Sequence, residues 1–308
     1  MDGARIEPDC AVVRNGVTPF ELTVPTSLPV PVLIAVPHGG REYTPAVMAA
    51  MRDPQWGPAR LEDRYADLLG MAMAEATGAA LMVARVPRAV IDLNRAPDDV
   101  DWSMISGAER RRAQHSAANR RARSGLGLVP RRLPGLGELW RQRLPAHELE
   151  LRIECIHRPY HNAVGATLER LRDRWGAALL LDLHSMPPLR PPGQDGQGAE
   201  FVIGDRFGAS CSPALSALAL QRLAATDRRV AHNRPYSGGY GLDHHASPRR
   251  GIHAMQIEVC RASYLDARLE EPGPRFAAVA RTLAGLVRAL AQDVAALGNP
   301  DAHRLAAE

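Results

Sequence analysis

Short apolar runs alternate with amphipathic stretches along most of this chain. "VPVLIAVPH" (30–38) reads as a buried strand ending in a polar loop. Pro58 then opens a helix through about residue 77, with Leu61, Tyr65, Leu68, Leu69 and Ala72 at helical spacing, and Gly78 stops it. "ALMVARV" (80–86) and "AVIDLNR" (89–95) predict strands on either side of Pro87. A polar stretch (107–125) and the Gly/Pro-rich "GLGLVPRRLPGLG" (125–137) follow. A long helix is expected from about 145, broken near Pro159 and resuming to about 174. "AALLLDLH" (177–184) is the next strand, and "PPLRPPGQDGQGAE" (187–200) is a loop by composition. "FVIGD" (201–205) predicts a strand, 213–226 a helix, "IHAMQIEV" (252–259) a strand and 275–297 a closing helix.

Strands separated by helices imply an α/β fold, a largely parallel sheet with helices packed against it. No internal repeat or linker interrupts the pattern. The expectation is therefore a single domain over 1–308, with a helical and loop excursion at about 100–150.

Composition narrows the function classes. Hydrophobic residues make up 45% and charged residues 23%, enough for a sizeable core. Aromatics are only 5%, so Leu, Val, Ala and Met must fill it. The formal charge is +4, yet the chain has no lysine and all 38 basic residues are arginine. That is a compositional bias and not a nucleic-acid footprint. The basic runs 109–114 and 119–125 read as solvated helix faces, and no nucleic-acid partner is expected. Cys10, Cys155, Cys211 and Cys260 lie far apart without CxxC spacing, which fits reduced thiols in a cytoplasmic protein. The N-terminus has no signal-peptide profile, and no apolar run reaches the roughly 18 residues of a membrane span, so no membrane partner is expected.

Ligands of open α/β sheets gather beyond the carboxyl ends of strands. His38, Asn94, Arg95, His184 and Glu258 all fall at such predicted ends. Two histidines and a carboxylate are the ligand set of one type of catalytic zinc site. Zinc lowers the pKa of a bound water and polarises a carbonyl. A separate glutamate can shuttle the proton, and arginine can stabilise an oxyanion. Arginine with asparagine can hold a substrate carboxylate. Asp182 precedes His184 by two residues and so shares its face of the strand, as a candidate partner that orients a histidine.

Several stretches together resemble the N-formylglutamate amidohydrolases. They are "VPHGGREYTP" (36–45), "EDRYADLL" (62–69), "PRAVIDLNR" (87–95), "GLGLVP" (125–130), "RPYHNAV" (158–164), "LLLDLHSMP" (179–187), "FVIGDRFGASC" (201–211), "NRPYSGGY" (233–240) and "IHAMQIEVCRASYL" (252–265). The resemblance implies a zinc carboxypeptidase-like fold with a mixed central sheet between helices. It also implies metal-dependent removal of the formyl group from N-formyl-L-glutamate, a small carboxylate substrate, at the end of a histidine-degradation route. Carried over by position, His38 and His184 resemble two ligands of Zn2+ or another divalent metal. The carboxypeptidase-like HxxE spacing would place a third at position 41, which is Arg41 here, and Glu42 is out of register. Asp63 matches the family's acid at the start of the following helix, with Glu62 as the alternative.

The same resemblance makes Glu258 the general base and Arg88 the oxyanion arginine. Asn94 and Arg95 become the carboxylate-binding pair. Tyr236, Gly238, Gly239 and Tyr240 would form a loop over the substrate, with His161 as a donor beside it. His244, His245 and His253 gather near that loop without an assigned role, and Cys260 is expected to be a packing residue. Gly39 stands where the family often has serine, and "GGYGLDHHASPRRG" departs from the usual spacing. Both departures touch the substrate side, which leaves open another N-acyl amino acid, a small peptide, or a non-catalytic homologue.

Overall fold

The computed structural model describes residues 18–107, 122, 124–189 and 198–299. Seven strands join one sheet: β1 (Phe20–Thr23), β2 (Val32–Val36), β3 (Ala80–Ala84), β4 (Ala178–Met186), β5 (Phe201–Gly204), β6 (Val230–His232) and β7 (Ile252–Cys260). Their order is β1-β3-β2-β4-β7-β5-β6. β3, β2, β4 and β7 run parallel, β1 and β5 join antiparallel, and β6 pairs parallel with β5. The sheet is mixed and mainly parallel, as the alternation of strands and helices predicts.

Every residue of β4 and β7 is buried, and the two faces of these strands differ. Leu179, Leu181 and Leu183 enter one apolar cluster, shared with Met255, Ile257 and Val259 of β7. Helices α3 (Ala66–Thr77), α6 (Pro213–Ala224) and α9 (Phe276–Gly298) cover that side through Leu69, Leu215 and Leu283. Ala178, Leu180 and Ala254 enter the opposite cluster with Ile156, Tyr160 and Leu168. On that second face the even positions turn polar toward the strand ends, with Asp182 and His184 on β4 beside Gln256 and Glu258 on β7. The strand period of two puts these four side chains on one face, over an apolar floor.

Three elements differ from the sequence reading, each for a local reason. The helix expected over 58–77 is split into α2 (Gly57–Leu61) and α3. Tyr65 takes the left-handed conformation at φ 57°, and the Asp63 amide donates to the His38 carbonyl at 3.0 Å. Residues 89–95 form turns instead of a strand. Val90 N–H bonds back to Pro87, and the Asp92 amide reaches the Leu128 carbonyl at 2.7 Å. The long helix is not broken at Pro159. α4 (Ala146–Arg152) runs through a π segment (Ile153–His157) into α5 (Arg158–Trp175). There the Arg158 amide bonds the Ile153 carbonyl five residues back, so the wider turn accommodates the missing proline N–H.

Two short strands, β1 and β6, lacked a clear pattern because they are brief and partly exposed. The remaining helices are α1 (Pro45–Ala50), α7 (Tyr240–His245) and α8 (Arg261–Tyr264). Within 100–150 the described residues contain a 3-10 turn (Trp102–Met104) and two-residue ladders; the expected basic helix faces lie mainly outside the described residues.

Candidate active site and metal centre

The loop after β2, the break before α3 and the end of strand β4 bring His38, Asp63 and His184 together at the carboxyl edge of the sheet. His184 Nδ1 lies 3.1 Å from His38 Nδ1 and 3.0 Å from Asp63 Oδ2, and His38 Nδ1 lies 3.5 Å from the same oxygen. All three side chains are buried. The outer nitrogens are held elsewhere. His38 Nε2 sits 2.7 Å from Asp92 Oδ1, and His184 Nε2 sits 3.0 Å from Asp182 Oδ2. A carboxylate accepts and does not donate, so each Nε2 carries the proton and donates it. Both Nδ1 atoms then face each other and Asp63 Oδ2. The three atoms converge on one point and call for positive charge there, either a proton on an Nδ1 donated to Asp63 or a metal ion bound by all three. This donor set of two imidazoles and a carboxylate, each imidazole backed by an acid, fits a tetrahedral divalent metal.

The surrounding groups fix that geometry. Ser185 Oγ donates to Asp63 Oδ1 at 3.2 Å, and Arg261 Nε donates to Ser185 Oγ at 3.0 Å. Arg261 Nη2 also stands 3.5 Å from Asp63 Oδ1. Burial alone would raise the Asp63 pKa, but hydrogen bonds from His184 and His38 outweigh it and lower it. Burial likewise disfavours the His184 cation, and the charge and hydrogen bond of Asp182, with Asp63 beyond, raise its pKa. Glu62 turns the other way, toward Arg64 at 3.6 Å.

Glu258 pairs with His184 in the β4–β7 register, so its carboxyl stands beside the histidine. Gln256 Nε2 donates to Glu258 Oε1 at 2.8 Å. Burial pushes the Glu258 carboxyl up to about 7, with the charge of Asp63 adding to the effect and those of His184 and Arg88 opposing it. A carboxyl poised there can accept and return a proton near neutrality. Arg88 Nε donates to Asp92 Oδ2 at 2.8 Å, so Asp92 links the Arg88 guanidinium to His38. The charges of Asp92, Asp63 and Glu258 overcome its burial and raise the Arg88 pKa.

A model of the N-formylglutamate amidohydrolase family matches residues 30–265. The chain belongs to that family. It is therefore a hydrolase of linear amide C–N bonds. It is 32% identical over 280 residues to N-formylglutamate deformylase of Pseudomonas aeruginosa, covering 87% of this chain and 94% of that protein. It is 34% identical over 247 residues to N-formylglutamate deformylase of Pseudomonas putida, covering 77% and 82%. Among solved structures, N-formylglutamate amidohydrolase from Ralstonia eutropha JMP134 superposes with a TM-score of 0.78 at 30% identity, covering 90% of this chain and 99% of that one.

In this amidohydrolase the remaining expected site residues have their own placements. Asn94 stands behind His184. Its Nδ2 is 3.3 Å from His184 Nε2 and 3.4 Å from Gln256 Oε1, and its Oδ1 accepts from the Gly241 amide at 2.9 Å. The Arg95 guanidinium donates to the Leu126 and Asn94 carbonyls at 3.0 and 2.8 Å. Gly239 is packed so closely on Asn94 that a Cβ there would fall 2.5 Å from Asn94 Oδ1. Tyr236 packs beside Met186, Val202 and Cys260 at the edge of the sheet, and Gly238 takes φ 101°. Tyr240 stacks on His244, and His161 bonds His245 instead of the His38–Asp63–His184 group.

Asp92, Ser185 and Arg261 were not singled out from the sequence. Asp92 had a signal, since the acid in "VIDL" interrupts an apolar run as Asp182 does in "LLDL". Ser185 and Arg261 had none, because their roles depend on how β4 and β7 pair. A separate cavity of about 590 Å³ lies between Thr44, Met104, Trp140 and Arg152, and none of the three converging residues lines it.

Proposed function

We propose that this chain deformylates N-formyl-L-glutamate, adding water across the formyl C–N bond to give formate and L-glutamate. The relatives' shared activity supports the substrate. The observation that carries the chemistry is the convergence of His38 Nδ1, His184 Nδ1 and Asp63 Oδ2, with both outer nitrogens occupied by carboxylates. His38, Asp63 and His184 would hold a divalent metal, zinc by donor type. Such a metal supplies Lewis acidity toward the carbonyl and lowers the pKa of water.

The protein's own groups do the rest. Glu258 takes a proton from the attacking water and returns it to the departing amine, which a carboxyl near 7 can do in both directions. Arg88, held by Asp92, stabilises the negative charge that builds on the carbonyl oxygen. Asp92 and Asp182 orient the histidines. Asn94 backs His184 and holds the Gly241 amide, Arg95 donates to the Asn94 carbonyl, and in this reading Tyr236, Gly238, Gly239 and Tyr240 form a loop over the substrate. We place the whole sequence in one catalytic domain and in the cytoplasm; free, buried Cys155, Cys211 and Cys260 and the lack of a membrane-crossing helix among the described residues support the location.

The test is formate release from N-formyl-L-glutamate by metal-stripped enzyme, before and after zinc is restored. Activity should vanish on stripping and return on reloading. N-acetyl-L-glutamate and formylated neutral amino acids, assayed beside it, should turn over more slowly. Full activity in the stripped protein would sink the metal reading. Equal rates on the neutral analogues would sink the substrate.

A further inference from the structure

A second set of imidazoles lies outside the site just described. His161 comes from α5, and His244 and His245 end the short helix α7. One nitrogen from each lies within 4.8 Å of the others. His161 Nε2 is 3.0 Å from the Leu93 carbonyl, which can only accept, so that nitrogen carries the proton. His161 Nδ1 is therefore an acceptor, and His245 Nε2 donates to it at 2.9 Å. As at the principal centre, the outer N–H sits on a fixed acceptor, and a metal would replace the single proton held between the inner nitrogens.

The two rings stack with centroids 5.1 Å apart, and His244 lies edge-on to both at 5.4 and 4.7 Å. Tyr240 stacks on His244, and its hydroxyl is 3.2 Å from His244 Nδ1. His157, from the π segment, packs on His161 at 4.4 Å and binds the Arg95 carbonyl through Nε2. His161 is buried, His245 is half-buried and His244 is exposed, so the group opens to solvent on one side.

We propose that His161, His244 and His245 form a second binding site for a first-row divalent transition metal such as zinc. Three neutral imidazoles with an open fourth position are a known zinc ligand set, and imidazole also suits copper and nickel. Burial first, and then the neighbouring imidazoles, holds His161 down at about 2; burial and His244 hold His245 at about 3. The imidazoles are therefore uncharged at neutral pH, and a metal has only to displace the hydrogen bond between His161 and His245. Three nitrogens bound at about 2.0–2.1 Å would sit about 3.3 Å apart, so His244, now within 4.8 Å, would turn inward and the His161–His245 pair would open slightly. Its occupation would tie α7 to α5. Because the Gly241 amide is held by Asn94, and Asn94 backs His184, the tie would also steady the 236–241 stretch.

This site is independent of the proposed deformylase chemistry, and the test separates the two. Metal-free full-length protein is dialysed against buffered Zn2+ and its content measured, with Co2+ absorption as a second readout. Wild type should bind two equivalents. His38→Ala should lose the principal one and keep the other. His244→Ala combined with His245→Gln should keep the principal one and lose the other. The exposed His244→Ala alone, which spares the core, should weaken the second equivalent by about tenfold or more. Saturation of wild type at a single equivalent that His38→Ala abolishes would overturn the proposal. So would a second equivalent that survives intact in both His244 variants.

Discussion

Glu258 and Asp92, whose charges both act on Arg88, show how differently two buried acids can be used. Glu258 accepts from Gln256 and has no guanidinium paired with it among the described residues, so burial raises it to about 7. Asp92 is buried too, yet Arg88 and His38 hold it well below the usual carboxylate range. The first is suited to exchanging a proton and the second to staying charged. Glu258→Gln keeps the shape and removes the proton acceptor. It should lower kcat on N-formyl-L-glutamate by about a hundred- to ten-thousandfold while metal content and KM hardly change. Retention of wild-type kcat would remove Glu258 from the chemistry. Asp92→Asn should instead act on the metal through His38, weakening zinc about 10–100-fold in a chelator competition. Unchanged zinc affinity would show that His38 needs no charged partner. His38 and His184 were legible in the sequence because they end strongly apolar runs. Asp92 interrupts an apolar run too, but its role was hidden, because that run is a series of turns and His38 lies 54 residues away.

At the scale of elements, the site depends on departures from regular structure that periodicity cannot show. The apolar spacing from 58 to 77 predicts one helix, but the break at Glu62–Tyr65 is what carries Asp63 to the His38 carbonyl. Similarly, Pro159 predicts a break, and the π segment absorbs it while aiming His157 and His161 at the loop after Leu93. The strands β2, β3 and β5 were legible as continuous apolar runs, and β4 and β7 as mostly apolar runs with polar residues interspersed, all of them buried at every position. Close approach of α3 to the sheet has a sequence cause that only the structure reveals. A Cβ at Gly70 would lie 2.8 Å from a Val36 methyl and 3.3 Å from Leu81. Gly70→Ala should therefore lift α3 and cost about 1–3 kcal/mol despite the better helix propensity of alanine. Urea unfolding would measure it, and a gain in stability would show that Val36 can yield without moving the helix.

For the molecule as a whole, the layered α/β plan and the family were legible from motif order, since the matching stretches run from strand end to strand end along 30–265. Metal and fold are coupled on this scale, because the proposed ligands come from the loop after β2, the break before α3, and β4. Zinc at about 100 times its Kd should add about 2.7 kcal/mol to folding, so stripping should lower Tm by several degrees and zinc should restore it. A Tm indifferent to zinc would mean the site is rigid without it or does not bind it. Acid should act through a different part of the core. His253, on β7, is buried, its Nδ1 has no hydrogen-bond partner among the described residues, and burial lowers its pKa. The unfolded chain takes up this proton near pH 6.5, whereas the folded chain resists it until lower pH. Between those values the unfolded state binds more protons, so the His253 contribution is complete above about pH 6.5 and is lost as the pH falls through the lowered value. Metal-free His253→Gln should therefore lose less stability than the wild type between pH 7 and pH 5 in urea titrations. Parallel pH profiles for the two proteins would show that His253 accepts its proton in the folded state as readily as in the unfolded one.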